Sequence, residues 1–301
     1  LSGATKFGAT VARLIMNDNP LTGGNYSKDF DKDLSGVTVL FGTLKTSSVT
    51  DLSLANCRLG PGSLGKLVEY LREATATIAR LALGSNPRIG DEAMVQLLEV
   101  VKDVSLTSLD ISKTGCGVPT AGKLAELLSG ATKFGATVEE VNISMNPIGV
   151  DGAKALGDVI SGSSLKCLII GPKGTRLPVN NEEVTELNFE GQGFSPEEVT
   201  LVAAATSTLA TIARVALKGN FPCGRISKDG DGLAPWLPGK EFDGWNMLCE
   251  SFSKSSTLTD LDLSDCYLGP QALTPLAKAI SSMATLNEVN IAFNPIGTDG
   301  G

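Results

Sequence analysis

One eleven-residue phrase recurs ten times along the chain, and its spacing constrains the fold more than any other feature. The clearest copy, Leu258 to Leu268, reads L-T-D-L-D-L-S-D-C-Y-L. Leu261 and Leu263 alternate with Asp262, so both leucines fall on one face of a short strand and the aspartate on the other. Cys266 stands where the chain turns out of that strand, a place for a small, compactly buried side chain. Gly269-Pro270 signals a turn, and Leu273, Leu276, Ala277 and Ile280 follow at the i, i+3, i+4, i+7 spacing of a buried helical stripe. Each unit is therefore a strand, a turn and a helix.

The copies begin at Val11, Val49, Ile78, Leu106, Val138, Leu165, Val184, Ile212, Leu258 and Leu286, and several successive starts are 28 or 29 residues apart. A fixed period in this range marks an array in which each coil packs on its neighbours. The general pattern is L-x-x-L-x-L-x-x-N/C-x-L, with Asn19, Asn86, Asn146, Asn220 and Asn294 at the asparagine position and Cys57 and Cys266 as its cysteine alternative. In these residues the chain resembles the leucine-rich-repeat family, and the period with a full helix after each strand is similar to its ribonuclease-inhibitor-like class. The resemblance implies an α/β leucine-rich-repeat solenoid, a horseshoe with a parallel β-sheet on the concave face and helices on the convex face. It also implies that the Asn and Cys side chains form a hydrogen-bonded ladder between coils. Thr114, Lys173 and Gln192 depart from the ladder pattern, and their coils are expected to be looser.

The helical stripes fit this reading: Leu64, Leu67, Val68 and Leu71 form one, and Met94, Leu97, Leu98 and Val101 another. Ser195-Pro196-Glu197-Glu198 reads as an N-cap, a first-turn proline and an acidic first turn. Residues 1–301 are expected to form a single solenoid of about ten coils, with insertions near 22–48 and 221–257 and a short, helix-less coil near 165–183. Tyr26-Ser27-Lys28-Asp29 and Ile226-Ser227-Lys228-Asp229 occupy equivalent places in the two insertions. Ala9 to Arg13 matches Ala210 to Arg214 at an offset of 201, which points to a seven-coil block. Leu1 to Val11 returns at Leu128 to Val138. The chain starts without an initiator methionine and ends inside a repeat, so it is expected to be an excerpt of a longer array.

Composition narrows the function. With no histidine in 301 residues, His-dependent triads, bases and metal ligands are excluded within this chain. The net charge of −8 argues against a nucleic-acid backbone binder and favours basic partners. No apolar run is long enough to span a bilayer. The six cysteines form no C-x-x-C pair, although Cys223 and Cys249 share one irregular segment and pairing between them is open. Neither a phosphate-binding G-x-x-x-x-G-K-[ST] nor a nucleophile-elbow G-x-S-x-G occurs.

The strand face is the first candidate site. It carries Asp51, Asp110, Glu139, Glu140, Glu186, Glu190, Asp260, Asp262, Asp265 and Glu288 against Arg13, Arg80, Lys113, Lys166, Arg214 and Lys218. This net-acidic face suits a basic protein segment, with Asp51, Asp110, Glu140, Glu186, Asp260, Asp262 and Glu288 as contacts; the competing reading is a solvated sheet whose charges pair across strands. The second candidate is the acidic stretch Asp29 to Gly36, but Leu34 and Leu40 stand where a calcium loop needs glycine and glutamate, so it reads as a solvated loop and no metal or cofactor is expected. Trp236, Phe242 and Trp245 gather in the second insertion, where covering a neighbouring coil is favoured over recognition. Asn25-Tyr26-Ser27 and Asn142-Ile143-Ser144 match the glycosylation pattern by accident of composition, the second lying inside a strand.

The sequence thus points to a non-enzymatic protein-protein interaction scaffold, with neither nucleic acid nor membrane as partner. A structural filament of tandem seven-coil blocks that contact one another is the alternative. The family resemblance implies the cytoplasm, and an extracellular location stays open.

Overall fold

The computed structural model describes residues 11–23, 29–75, 77–227 and 236–297. Every repeated phrase yields a short strand that begins two residues after the phrase starts. These are β1 (Arg13–Ile15), β2 (Asp51–Ser53), β3 (Arg80–Ala82), β4 (Ser108–Asp110), β5 (Glu140–Asn142), β6 (Cys167–Ile170), β8 (Glu186–Asn188), β9 (Arg214–Ala216), β12 (Asp260–Asp262) and β13 (Glu288–Asn290). Three further strands fall outside the phrases: β7 (Thr175–Pro178), β10 (Arg225–Ser227) and β11 (Trp236–Pro238).

The helices are α1 (Ser35–Leu44), α2 (Pro61–Glu73), α3 (Gly90–Val101), α4 (Val118–Ser129), α5 (Lys133–Thr137), α6 (Gly149–Ile160), α7 (Pro196–Thr206), α8 (Asp243–Lys254) and α9 (Pro270–Ser282). The chain divides into two compact units, Leu1–Ile148 with Gly162–Ile169, and Gly149–Ser161 with Ile170–Gly301. In the first unit β1 to β6 pair in parallel in chain order, and α1 to α5 pack successively behind them. In the second unit β8, β9, β12 and β13 pair in parallel and α6 to α9 pack successively. This is the α/β leucine-rich-repeat architecture: short parallel strands in one layer, helices in the other.

The strand leucines and the inward helical stripes make the core. Leu52, Leu54, Leu81, Leu83, Leu261 and Leu263 are all buried, as are Leu64, Leu67 and Val68 of α2 and Met94, Leu97, Leu98 and Val101 of α3. In α9 the buried line is Ala272, Leu276 and Ala279, and Ala277 is exposed. Leu273 and Ile280 are half-buried, so the helix is rotated by about one position from the expected stripe, with Leu276 kept in the core.

What reads as insertion is partly ordinary helix. Residues 22–48 include α1, which buries Val37, Phe41 and Leu44, and residues 221–257 include the antiparallel β10–β11 hairpin and α8. Residues 161–195 carry three strands and no helix. The matched segments around Tyr26 and Lys228, the Leu1–Thr10 part of the echo and the Asn25 acceptor motif lie outside the described residues.

The turn leaving every phrase strand except β6 has the same conformation. Seven positions after the phrase start, Asp18, Asn56, Ser85, Lys113, Met145, Asp265 and Phe293 all have φ between 50° and 62°, and Gly191 and Gly219 share the left-handed region. Asp and Asn tolerate this conformation, whereas a long or aromatic side chain pays of order 1 kcal/mol for it. Coil stacking therefore imposes the turn even where Lys113, Met145 and Phe293 disfavour it.

Candidate functional site

Lateral register turns the strand residues into columns. The first residues of the strands align as Arg13, Asp51, Arg80, Ser108, Glu140 and Cys167 in the first unit. In the second unit they align as Glu186, Arg214, Asp260 and Glu288. Opposite charges thus alternate along much of each column. In the first unit Ser53 and Ala82 leave room for a shallow depression of about 430 Å³ bordered by Arg13, Asp51, Arg80 and Asp110.

In the second unit Arg214 Nε lies 3.3 Å from Glu186 Oε1, and Lys218 Nζ lies 2.7 Å from Glu190 Oε1. All four side chains are about half exposed, so solvent screening leaves each pair little net stability. Glu190 holds the Lys218 ammonium above its ordinary pKa, with Asp262 and Asp265 adding to the effect. Asp260 and Glu288 extend the same column beyond Arg214, and Thr259 donates its hydroxyl to Asp260.

The third strand position does a different job, which sequence reasoning missed. Asp110 Oδ1 accepts the Ser112 N–H at 2.9 Å, and Asp262 Oδ1 accepts the Ser264 N–H at 3.1 Å and its hydroxyl at 2.6 Å. Asn142, Asn188 and Asn290 accept from the residue two positions on in the same way. These side chains close the turn out of the strand. Asp110 and Asp262 therefore each have one oxygen committed to the backbone, whereas Asp51, Glu140, Glu186, Asp260 and Glu288 stand at the first strand position. The recurrence of Asp or Asn two residues before the turn was the available signal. Asn142 of the second glycosylation pattern is engaged in this turn.

Behind the turn lies the ladder. Asn86 is fully buried: its Oδ1 accepts the N–H groups of Cys57 and Leu59 at 3.0 Å each, and its Nδ2 donates to Leu54 O at 2.9 Å and Leu83 O at 2.7 Å. Asn146 serves Thr114 and Cys116, Asn220 serves Phe194, and Asn294 serves Cys266 and Leu268. Asn19 donates to Met16 O at 2.9 Å. Cys57 Sγ donates to Met16 O at 3.0 Å and Cys266 Sγ to Leu217 O at 3.1 Å, so the thiol replaces the amide donor. Thr114 is fully buried and keeps a donor bond to Ile111 O at 2.6 Å. Lys173 instead reaches Gly191 O, and Gln192 bonds Glu190 O and the Thr175 hydroxyl.

Carboxylates also cap helices of adjacent coils. Asp31 accepts the N–H groups of Gly60, Gly62 and Ser63 at the start of α2, at 3.1, 2.7 and 3.2 Å. Asp91 accepts from Gly117 N at 2.8 Å and from the Thr120 N–H and hydroxyl at the start of α4. Both N-cap residues are glycines, with no cap oxygen of their own. A Cβ on Gly60 would lie 2.6 Å from Asp31 Oδ2. The acidic stretch thus holds a helix N-terminus, where negative charge is favoured. Asp33 accepts from Ser35, and these bonds lower its pKa. Among the described residues, no cluster of His, Cys, Asp or Glu could hold a metal ion.

Glu197 Oε2 caps Gly149 N of α6 at 2.8 Å. Burial first, and then the neighbouring Glu198, raise its pKa to about 7. Glu198 accepts both the N–H and the hydroxyl of Ser195. Trp245 is fully buried in α8, and its indole N–H donates to Ala272 O of α9 at 2.9 Å, so this tryptophan covers a coil; Phe242 is half-buried. All six cysteines are free and buried, Cys223 and Cys249 included, and burial pushes Cys223, Cys249 and Cys266 up to about 12. Such thiols are poor nucleophiles.

A family model described as Leucine Rich repeat matches residues 136–157, 254–277 and 282–301. The chain is 24% identical to ribonuclease inhibitor of Sus scrofa over 256 residues, covering 85% of this chain and 48% of that protein. It is 22% identical to ribonuclease inhibitor of Mus musculus over 254 residues, covering 84% of this chain and 41% of that protein. A Tonsoku-like protein of Bos taurus is 31% identical over 129 residues, which is 42% of this chain and 9% of that protein. The chain spans about half the length of the ribonuclease inhibitors it matches, or less. None of the described helices is long and apolar enough to cross a membrane.

Proposed function

Since the chain is a leucine-rich-repeat protein of the ribonuclease-inhibitor-like class, we propose that it is a non-enzymatic scaffold whose strand face binds a basic segment of another protein. Two of its similar proteins are named as inhibitors of a ribonuclease, and inhibition of an enzyme is work done by binding a protein. The observation that carries the proposal is the first-position column of the second unit. There Arg214 is paired with Glu186, and Asp260 and Glu288 continue the column in an acidic surround that includes Asp262 and Asp265.

A basic peptide crossing β12 and β13 would meet Asp260 and Glu288 on neighbouring strands, about 4.8 Å apart. Such attraction acts chiefly on encounter rate and register and weakens with salt. Net charge of −8 turns the chain away from nucleic acid and anionic membrane surfaces. The cytoplasm is the proposed compartment, and the chain is proposed to be one continuous repeat array within a longer polypeptide.

The test is fluorescence anisotropy with lysine- and arginine-rich peptides against acidic and neutral ones, at low and high salt. Binding should favour basic peptides, weaken with salt, and fall in a chain carrying Asp51→Asn, Asp260→Asn and Glu288→Gln. Equal binding by that variant, or no preference for basic peptides, would remove the strand face as the site.

A further inference from the structure

Two small residues in the first unit's sheet make the depression on its strand face. In lateral order the third strand residues run Ile15, Ser53, Ala82, Asp110, Asn142 and Ile169, so Ser53 and Ala82 leave a gap between larger neighbours. The first-position residue beside Arg80 on β4 is likewise small, Ser108. About 430 Å³ is left open there, and its rim carries charge of both signs, Arg80 against Asp51, Asp110 and Glu140.

Arg80 sets this depression apart. Arg214 of the second unit is tied to Glu186, whereas the exposed Arg80 guanidinium makes no ion pair or hydrogen bond among the described residues, although Asp51 stands beside it in register. Asp110 gives one oxygen to the Ser112 N–H, and its Oδ2 has no partner among the described residues. A carboxylate entering the depression would face Asp51 and Asp110, and an ammonium would face Arg80. An aromatic ring avoids both conflicts: it is attracted to the guanidinium face and fills the space over Ser53 and Ala82. An indole N–H or phenol O–H on that ring also supplies the donor that Asp110 Oδ2 lacks. The chain makes the same kind of contact within itself, where Arg225 lies 3.9 Å from the centroid of the Phe221 ring.

Spacing then sets what flanks the ring. Asp51 on β2 and Glu140 on β5 are separated by three strand-to-strand steps, roughly 14 Å. An extended segment crossing the strands advances about 3.4 Å per residue and turns alternate side chains to one face, so the residues two positions before and two positions after the ring fall opposite these carboxylates. On the reading that the strand face takes a basic segment, on which this inference rests, we propose that the segment carries a tryptophan or tyrosine seated against Arg80 over Ser53 and Ala82. A cationic residue stands two positions to either side of it, one facing Asp51 and the other Glu140.

Fluorescence anisotropy of the 301-residue chain with three labelled lysine-rich peptides tests it. The peptides are identical except for a central Lys-Ser-Trp-Ser-Lys, Lys-Ser-Ala-Ser-Lys or Lys-Trp-Ser-Ser-Lys. The first should bind about tenfold tighter than the second, the effect of one well-seated aromatic anchor. The third should bind like the second, because moving the ring by one residue turns it to the other face of the segment. Ala82→Leu fills the depression without touching a charge, and Arg80→Gln removes the guanidinium; each should bring the first two peptides to within about twofold, chiefly by weakening the tryptophan peptide. Arg80 is exposed and Ala82 half-buried on the strand face, so the fold should survive, as far-UV circular dichroism will report; if Ala82→Leu disturbs it, Arg80→Gln alone decides. Equal binding of the first two peptides overturns the aromatic seat and leaves the basic-segment reading standing, whereas a chain that binds no lysine-rich peptide overturns both. A tryptophan advantage that survives Arg80→Gln and Ala82→Leu, or that the shifted peptide shares, also overturns the seat.

Discussion

Replacing Asn86 by alanine removes the most completely bonded rung of the ladder. The side chain is fully buried and holds two N–H groups of the preceding coil, those of Cys57 and Leu59, while donating to Leu54 O and Leu83 O. Alanine leaves both N–H groups without a partner in a site from which water is excluded. Each unsatisfied buried donor costs about 1–3 kcal/mol, and the carbonyls lose less because they have a second lone pair. The expected destabilisation is about 4 kcal/mol, at the upper end for single substitutions. Asn294 makes the same four contacts but is half-buried, so water can replace them, and Asn294→Ala should cost about 1 kcal/mol. Urea unfolding followed by circular dichroism measures both, with each transition tested for cooperativity because repeat arrays can unfold in parts. If Asn86→Ala costs no more than Asn294→Ala, burial of the rung is not what makes the ladder stabilising, and the reasoning fails.

Glu197 is 4.5 when free and about 7 in the folded chain, so between those values the native state binds more protons than the unfolded state and stability falls as pH rises. Glu197→Gln keeps an acceptor for Gly149 N and should be more stable than the parent at pH 8 by about 1–2 kcal/mol, after discounting a ceiling of roughly 3 for partial exposure; urea midpoints that shift equally with pH in both chains would contradict this. Gly60→Ala should lose about 1–2 kcal/mol by expelling Asp31 from the α2 N-terminus, whereas Gly65→Ala, with nothing within 4 Å of its new Cβ, should gain up to about 1 kcal/mol of helix propensity. The two thermal midpoints should move in opposite directions, and movement together would show that the cap is not the cause. Tyr70 is fully buried against Phe41, and its hydroxyl has no hydrogen-bond partner. Tyr70→Phe keeps the stacked ring and should be neutral or stabilising by about 1 kcal/mol; a loss larger than that by chemical denaturation would reveal a bond the hydroxyl makes.

The phrase L-x-x-L-x-L-x-x-N/C-x-L was enough to place ten strands, each two residues after its start, because alternation along a strand and the turn that follows are properties of a few adjacent residues. The positions of Asn86, Asn146, Asn220 and Asn294 were legible for the same reason. Only the tertiary structure decided what those residues and the charges touch. Asp31 and Asp91 cap helices that begin about one coil later, and Glu197 caps α6 from a helix that follows it. Asp110 and Asp262 close turns rather than standing free on the strand face, Glu186 is tied to Arg214, and Trp245 fills the space between α8 and α9. Each of these contacts except the turns joins residues about one coil or more apart in sequence, and a side chain's partner across that gap depends on how neighbouring coils are rotated and set in register. The local phrase fixes where a coil begins; the stacking of coils fixes which of its polar groups are spent on the scaffold and which remain for a partner.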